Sequence, residues 1–183
     1  MIEGINLTKS FGEKVLFKGY NFKINTGEMV CFSGKSGSGK TTMLHMIGML
    51  ETYDEGQILI NGKKCSRYRD KLNFFRSEVG FLFQNYALIE NKTVFDNLEL
   101  VQPKYRTQSS IEDVLEIVNL KDKMNQKVYT LSGGEQQRIA LARLYLKKCS
   151  IILADEPTGS LDQENADRVM DTLLDLNAKG KTV

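Results

Sequence analysis

The 183-residue chain lacks an apolar run long enough to cross a membrane. Its longest, Met43 to Leu50, is interrupted by His45 and Gly48 and falls far short of the ~20 residues a spanning helix needs. The N-terminus, Met1-Ile2-Glu3-Gly4, has neither a basic n-region nor an apolar h-region, so no secretory signal is visible and a cytoplasmic compartment is expected. Cysteine is scarce: Cys31, Cys65 and Cys149 are far apart and form no C-x-x-C pair, which argues against a disulfide framework or a zinc site and leaves reduced thiols. Cys31 and Cys149 fall in or beside apolar strands, where core filling is expected. A charge excess is missing too. The net charge is +2 and the lysines are dispersed, the small cluster Lys121, Lys123 and Lys127 reading as a solvated loop, so nothing argues for nucleic acid. A composition of 41% hydrophobic and 26% charged residues excludes disordered and collagen-like classes. The length suits one domain, or one compact domain with an inserted subdomain.

Gly34-Lys35-Ser36-Gly37-Ser38-Gly39-Lys40-Thr41 fits G-x-x-x-x-G-K-[ST]. Met29–Ser33 before it reads as a buried strand, and Thr41–Leu50 after it reads as a helix, the context a phosphate-binding loop requires. Glycines let successive N–H groups point inward, and the helix adds the positive end of its dipole. In such a loop Lys40 reaches the β and γ phosphates of a nucleotide, and the Thr41 hydroxyl takes one position on Mg²⁺.

Short β-like runs from Ile2 to Thr26, with a turn at Gly12-Glu13, and Gln57–Asn61 closed by Gly62, predict an antiparallel sheet beside that core. Phe11, among polar residues at the turn, either stacks on a base or packs against Phe17 or Phe22. Lys71–Glu78 reads as a short helix and Val79–Phe83 as an apolar strand ending at Gln84, a candidate for metal or water contact or else a solvated loop glutamine. From Thr93 to Leu120 the pattern is helical, with Ile111, Val114, Leu115 and Val118 on one face behind a capping box, Ser110-x-x-Asp113. A second box, Ser132-x-x-Glu135, with Gly133 and Gly134 in the first turn, starts a helix running to about Lys148. It reads as a further anion site or as an ordinary capped helix. Ser150–Glu156 reads as a buried strand ending in two acids, Asp155 and Glu156, which period-two alternation sets on opposite faces, one for Mg²⁺ and one for the attacking water. Asp162 or Ser160 caps a helix whose Ala166, Val169, Met170 and Leu173 form an apolar stripe expected in the core, and Gly180 ends it.

The phosphate loop, LSGGEQQR (131–138), ILADEP (152–157) and SLD (160–162), in this order, resemble the ATP-binding subunits of ABC transporters over essentially the whole chain. GKSGSGKTT, FQNYALIENKTV and LADEPTGSLD look closest to the lipoprotein-release and macrolide-export branch and to bacteriocin-type exporter ATPases. The resemblance implies an α/β fold: a RecA-like phosphate-loop core with an antiparallel β subdomain (together 1–84 and 149–183) and an inserted helical subdomain (85–148). It implies ATP and Mg²⁺ held by Phe11, Gly34, Ser36, Gly37, Ser38, Gly39, Lys40, Thr41 and Thr42. Ser132, Gly133, Gly134, Glu135 and Asp162 contribute across a head-to-tail dimer; Thr41, Gln84 and Asp155 lie at the metal, and Glu156 is the general base with Gln84 assisting. The implied partners are a second copy and a separately encoded permease, which would hold the chain at the inner face of the membrane and export a peptide or lipophilic cargo.

Two departures stand out. Val128-Tyr129-Thr130 differs from the commoner polar, proline-containing segment, and no switch histidine is present, His45 reading as a packed helix residue. Lys181-Thr182-Val183 resembles the start of the strand that ends in that histidine, so a C-terminally incomplete sheet and impaired turnover of residues 1–183 are expected. A soluble nucleotide-gated interaction module is the alternative. A small kinase would leave LSGGE and the paired acids without a role.

Overall fold

The computed structural model describes residues 1–64, 68–159 and 161–183, so Cys65 and the alternative cap Ser160 lie outside the described residues. The chain opens with a hairpin of β1 (Ile2–Phe11) and β2 (Lys14–Ile24), closed at Gly12-Glu13. β3 (Glu55–Ile60) pairs antiparallel with the other edge of β1, giving the order β2-β1-β3. Burial along β1 changes phase: Ile2 and Gly4 face inward, then Leu7 and Lys9. A period-two strand does that only across an extra residue, and the pairing slips between Gly4 and Leu7, where Asn6 takes a left-handed φ of 50°. The bulge thereby turns Lys9 inward.

α1 (Lys40–Ile47) follows the glycine loop and buries Met43, Met46 and Ile47 against Ile2, Leu7 and Ile24 of the sheet. It is shorter than the span read from the sequence because Gly48 caps it and Met49 turns left-handed at φ 58°. α2 (Tyr68–Asn73) runs into a π-helical turn, Phe74–Glu78, so the helix read over Lys71–Glu78 begins earlier and ends in a wider coil. β4 (Val79–Leu82) and β5 (Ile151–Ala154) pair in parallel. Parallel neighbours need a long crossover, and it contains α3 (Val94–Glu99), α4 (Ile111–Ile117) and α5 (Gly133–Leu146). Capping boxes start α3 at Thr93 with Asp96, α4 at Ser110 with Asp113 and α5 at Ser132 with Glu135. α5 serves two cores. Ile139, Ala142 and Leu146 pack with Val94, Leu98, Val114 and Leu115, while Ala140, Leu141 and Leu144 pack on Leu82, Ile152 and α6 (Gln163–Ala178).

Three further elements differ from expectation. Met29–Ser33 is not paired along its length: Val30 donates to the Val183 carbonyl (2.9 Å), Val183 donates to that of Glu28 (3.0 Å), and Met29 and Val30 stay 37% and 39% exposed. Cys31, in the same segment, is exposed rather than core, whereas Cys149 is buried. The strand before the acids stops at Ala154, and Glu156 has a φ of 46°, so alternation does not set the directions of Asp155 and Glu156. In α6, Val169, Leu173 and Leu176 are core, but Met170 faces a cleft of about 320 Å³ beside Val30, Phe32 and Val183. Thr182 bridges Ile151 in parallel, so residues 182–183 run between β5 and the segment 28–30.

Candidate functional site

The glycine loop is built against the hairpin. Gly39 starts α1 at φ 97°, and a Cβ there would stand 2.6 Å from the Phe17 ring, so glycine is what lets β2 lie on the loop. Lys14 adds a second contact, its Nζ donating to the Gly37 carbonyl at 3.2 Å. Lys40 folds back over the loop that precedes it, donating to the carbonyls of Gly34 (3.0 Å) and Lys35 (3.1 Å). Ser36 and Ser38 are exposed, the Ser38 N–H donating to the Lys35 carbonyl, and Thr42 is half-buried behind them. Among the described residues Lys14, Lys35 and Lys40 have no carboxylate partner. Unneutralised cations around a helix N-terminus make an anion site.

The opposing wall comes from the end of β5. The Thr41 hydroxyl donates to Asp155 Oδ1 at 2.9 Å, joining positions 114 residues apart. His45, one turn beyond Thr41, stands with Nε2 3.9 Å from Asp155 Oδ2; that nitrogen is buried and makes no hydrogen bond among the described residues, and the ring meets Phe83 edge-on at 6.4 Å. α1 therefore presents a hydroxyl and an imidazole to one carboxylate. Hydroxyl and carboxylate side by side are hard oxygen donors suited to Mg²⁺, which typically takes one or two protein ligands and completes its shell with water and substrate phosphates. Glu156 is exposed in the turn that follows. Gln84 is exposed two residues after the end of β4, and no hydrogen bond among the described residues joins it to Thr41 or Asp155. Phe11 is 49% exposed at the hairpin end; ring contacts link Phe17 to Tyr20 and Tyr20 to Phe22, leaving Phe11 out of that chain.

The second helix start stands apart. Ser132 Oγ accepts from the Glu135 N–H (3.3 Å) and Glu135 Oε2 accepts from the Ser132 N–H (2.8 Å), a backbone bond that holds the Glu135 carboxyl below its usual pKa. Ser132 and Gly133 are exposed, Gly134 is half-buried, and no hydrogen bond or ion pair among the described residues links 132–135 to 34–42. Asp162 caps α6 by accepting from the Asn165 backbone (2.8 Å) and amide (2.8 and 3.0 Å), which lowers its pKa, the backbone bond first.

Three further residues tie these parts together. Asn165 Oδ1 accepts from Arg138 on α5 (3.2 Å), and its amide lies 3.2 Å from where a Gly134 Cβ would be. Gln137, 4% exposed, donates to the Pro157 carbonyl. Arg143 donates to the carbonyls of Tyr86 (2.9 Å) and Ala87 (2.7 Å), consecutive left-handed residues just after Gln84. A glutamine and an arginine among the apolar positions of α5 were the available signal for Gln137 and Arg143; nothing local marks Asn165.

A family model for ABC transporters matches residues 17–159. The chain belongs to the ABC transporter family. It is 40% identical over 190 residues to the lipoprotein-releasing system ATP-binding protein LolD of Bacteroides fragilis, covering 99% of this chain and 87% of that one. It is 39% identical over 185 residues to the methionine import ATP-binding protein MetN of Clostridium acetobutylicum, covering 98% of this chain but only 58% of that relative's length. A dimeric structure of the ATP-binding cassette MJ0796 in a post-hydrolysis state with ADP and Pi superposes with a TM-score of 0.84 at 37% identity, over 100% of this chain and 86% of that one. The chain thus has the ABC ATPase fold, a RecA-like α/β core with an antiparallel sheet and a set of helices.

Proposed function

We propose that this ABC chain binds ATP with Mg²⁺ at residues 34–42, hydrolyses it between two head-to-tail copies, and drives a separate membrane permease. The 2.9 Å contact between Thr41 and Asp155 carries the reading, because it closes the phosphate loop against the acid a metal–phosphate site needs. Bound there, Mg²⁺ would neutralise charge on the β and γ phosphates. Gly34, Ser36, Gly37, Ser38, Gly39 and Thr42 line the phosphates with N–H and hydroxyl donors, and Lys40 leaves its loop carbonyls for them. Glu156 removes the proton from the attacking water, Gln84 orients that water near the metal, and Phe11 stacks on the adenine.

Ser132, Gly133, Gly134 and Glu135 act on the partner copy's nucleotide, and Asp162 lies along the same seam. Support comes from two separate helix starts served by one pair of acids, and from the dimer seen for MJ0796. Residues 85–148 form the helical subdomain against 1–84 and 149–183. Between them a cleft of about 380 Å³, lined by Phe75, Phe81, Phe83 and Tyr105 together with Arg76, Arg143 and Lys147, suits a permease segment that carries both apolar and acidic or polar side chains. Attachment at the cytoplasmic face runs through that permease; among the described residues no helix is long and apolar enough to cross a membrane. The relative named for lipoprotein release supports export of a lipophilic or peptide cargo; the one named for methionine import is the competing precedent. ATP turnover of the intact protein, measured with and without Mg²⁺ for wild type and Asp155→Asn, tests the core of the reading. Turnover requiring both is expected, and metal-independent or Asp155-independent turnover contradicts it.

A further inference from the structure

Lys9 is 5% exposed, an uncommon position for an ammonium group. It precedes Phe11 by two residues on β1, and the β1–β2 register slips between Lys9 and Ser10. Its Nζ donates to Glu51 Oε1 at 2.8 Å and lies 4.5 Å from the centroid of the Phe11 ring. Glu51 is itself fixed by the Thr52 N–H at 3.0 Å, in the segment that follows α1. The ammonium is therefore pinned between the hairpin and the segment that follows α1, with one face of an aromatic ring resting on it.

That arrangement does more than fill space. A cation over one face holds the plane of a ring and draws its π density toward itself, leaving the opposite face available to a flat, electron-rich group. The hairpin end also abuts the phosphate loop, through Lys14 on Gly37 and Phe17 over Gly39. A nucleotide with phosphates on the loop would thus bring its base to Phe11. We propose that Lys9 is a positioning residue for the base: held by Glu51, it backs the Phe11 ring and presents the free face to adenine. The role of Lys9 rests on Phe11 being the base platform proposed above.

The test compares binding of ATP with binding of inorganic tripolyphosphate, which has no base, in the intact protein. Lys9→Met, which keeps the apolar stem, is expected to weaken ATP about 3- to 30-fold and leave tripolyphosphate unchanged. In a Phe11→Ala background Lys9→Met is expected to do nothing more. Equal losses for both ligands would make Lys9 a structural tether only, and an undiminished effect without Phe11 would show that it acts elsewhere; either overturns the proposal. If Phe11→Ala weakens ATP while Lys9→Met does not, Lys9 alone is refuted. If Phe11→Ala leaves ATP unchanged, the base platform itself fails and Lys9 with it. Glu51→Gln, which leaves Lys9 in place and loosens it, serves should Lys9→Met not fold: the ratio of ATP to tripolyphosphate affinity should fall in the same direction, and an unchanged ratio overturns the role.

Discussion

Gln137 on α5 donates its side-chain amide to the backbone carbonyl of Pro157, the residue after Glu156. The helix that begins at Ser132 therefore grips the turn carrying the proposed general base. The other end of that amide, Oε1, is buried without a partner among the described residues. Gln137→Met removes both the donor to Pro157 and the unpaired acceptor, two changes of about 1–3 kcal/mol each with opposite sign. Stability should stay within about 1 kcal/mol of wild type while turnover falls about tenfold, read from urea denaturation and steady-state kinetics on the same samples. A loss of turnover matched by a comparable loss of stability would show that the contact is merely structural.

Glu156→Gln should preserve ATP binding and slow hydrolysis about 10²-fold or more, as loss of a general base does, whereas Lys40→Ala should weaken binding. Binding is measured by equilibrium dialysis and hydrolysis by single turnover. Similar turnover for Glu156→Gln and wild type would remove Glu156 from the mechanism.

Glu156 also sits at φ 46°, where a side chain costs about 1–2 kcal/mol and glycine costs little beyond its chain entropy of about 0.5–1 kcal/mol. Glu156→Gly should therefore be inactive yet no less stable than wild type, by up to about 1 kcal/mol in its favour. A clear drop in its melting temperature would contradict strain at this position.

Three helix-capping carboxylates, Asp96, Asp113 and Glu135, are held below their usual pKa values, each chiefly by the backbone N–H of its N-cap residue. A lowered folded pKa means their stabilisation is present above the unfolded value of about 4 and is lost as pH falls through the folded one. The urea midpoint should drop progressively below about pH 4, and Asp113→Asn, which keeps an acceptor but does not titrate, should drop less over that window. Parallel profiles for the two proteins would exclude Asp113 as a contributor.

What the sequence made legible was local. The boxes Ser110–Asp113 and Ser132–Glu135 close within one turn, so residue order alone places them, and the hairpin turn at Gly12-Glu13 is equally self-contained. What depended on distant neighbours was not. Met29–Ser33 has strand composition, but the partner it pairs with, Val183, lies far along the chain. Alternation does not carry through Asp155 and Glu156, because Glu156 leaves the extended region. Thr41 and Asp155 each stand out in the sequence by their chemistry, yet their contact across 114 residues, like those of Asn165 with Arg138 and Gln137 with Pro157, exists only once α1, α5, α6 and β5 are packed.

The head-to-tail sandwich is the central claim, and the oligomeric state of the hydrolysis-slowed Glu156→Gln protein tests it most directly. Sedimentation with ATP and Mg²⁺ should show a dimer that falls apart without nucleotide. Adding Ser132→Arg in the same background should leave ATP binding at residues 34–42 intact and the protein monomeric. A dimer that survives Ser132→Arg, or a Glu156→Gln protein that stays monomeric with saturating ATP, would contradict the account.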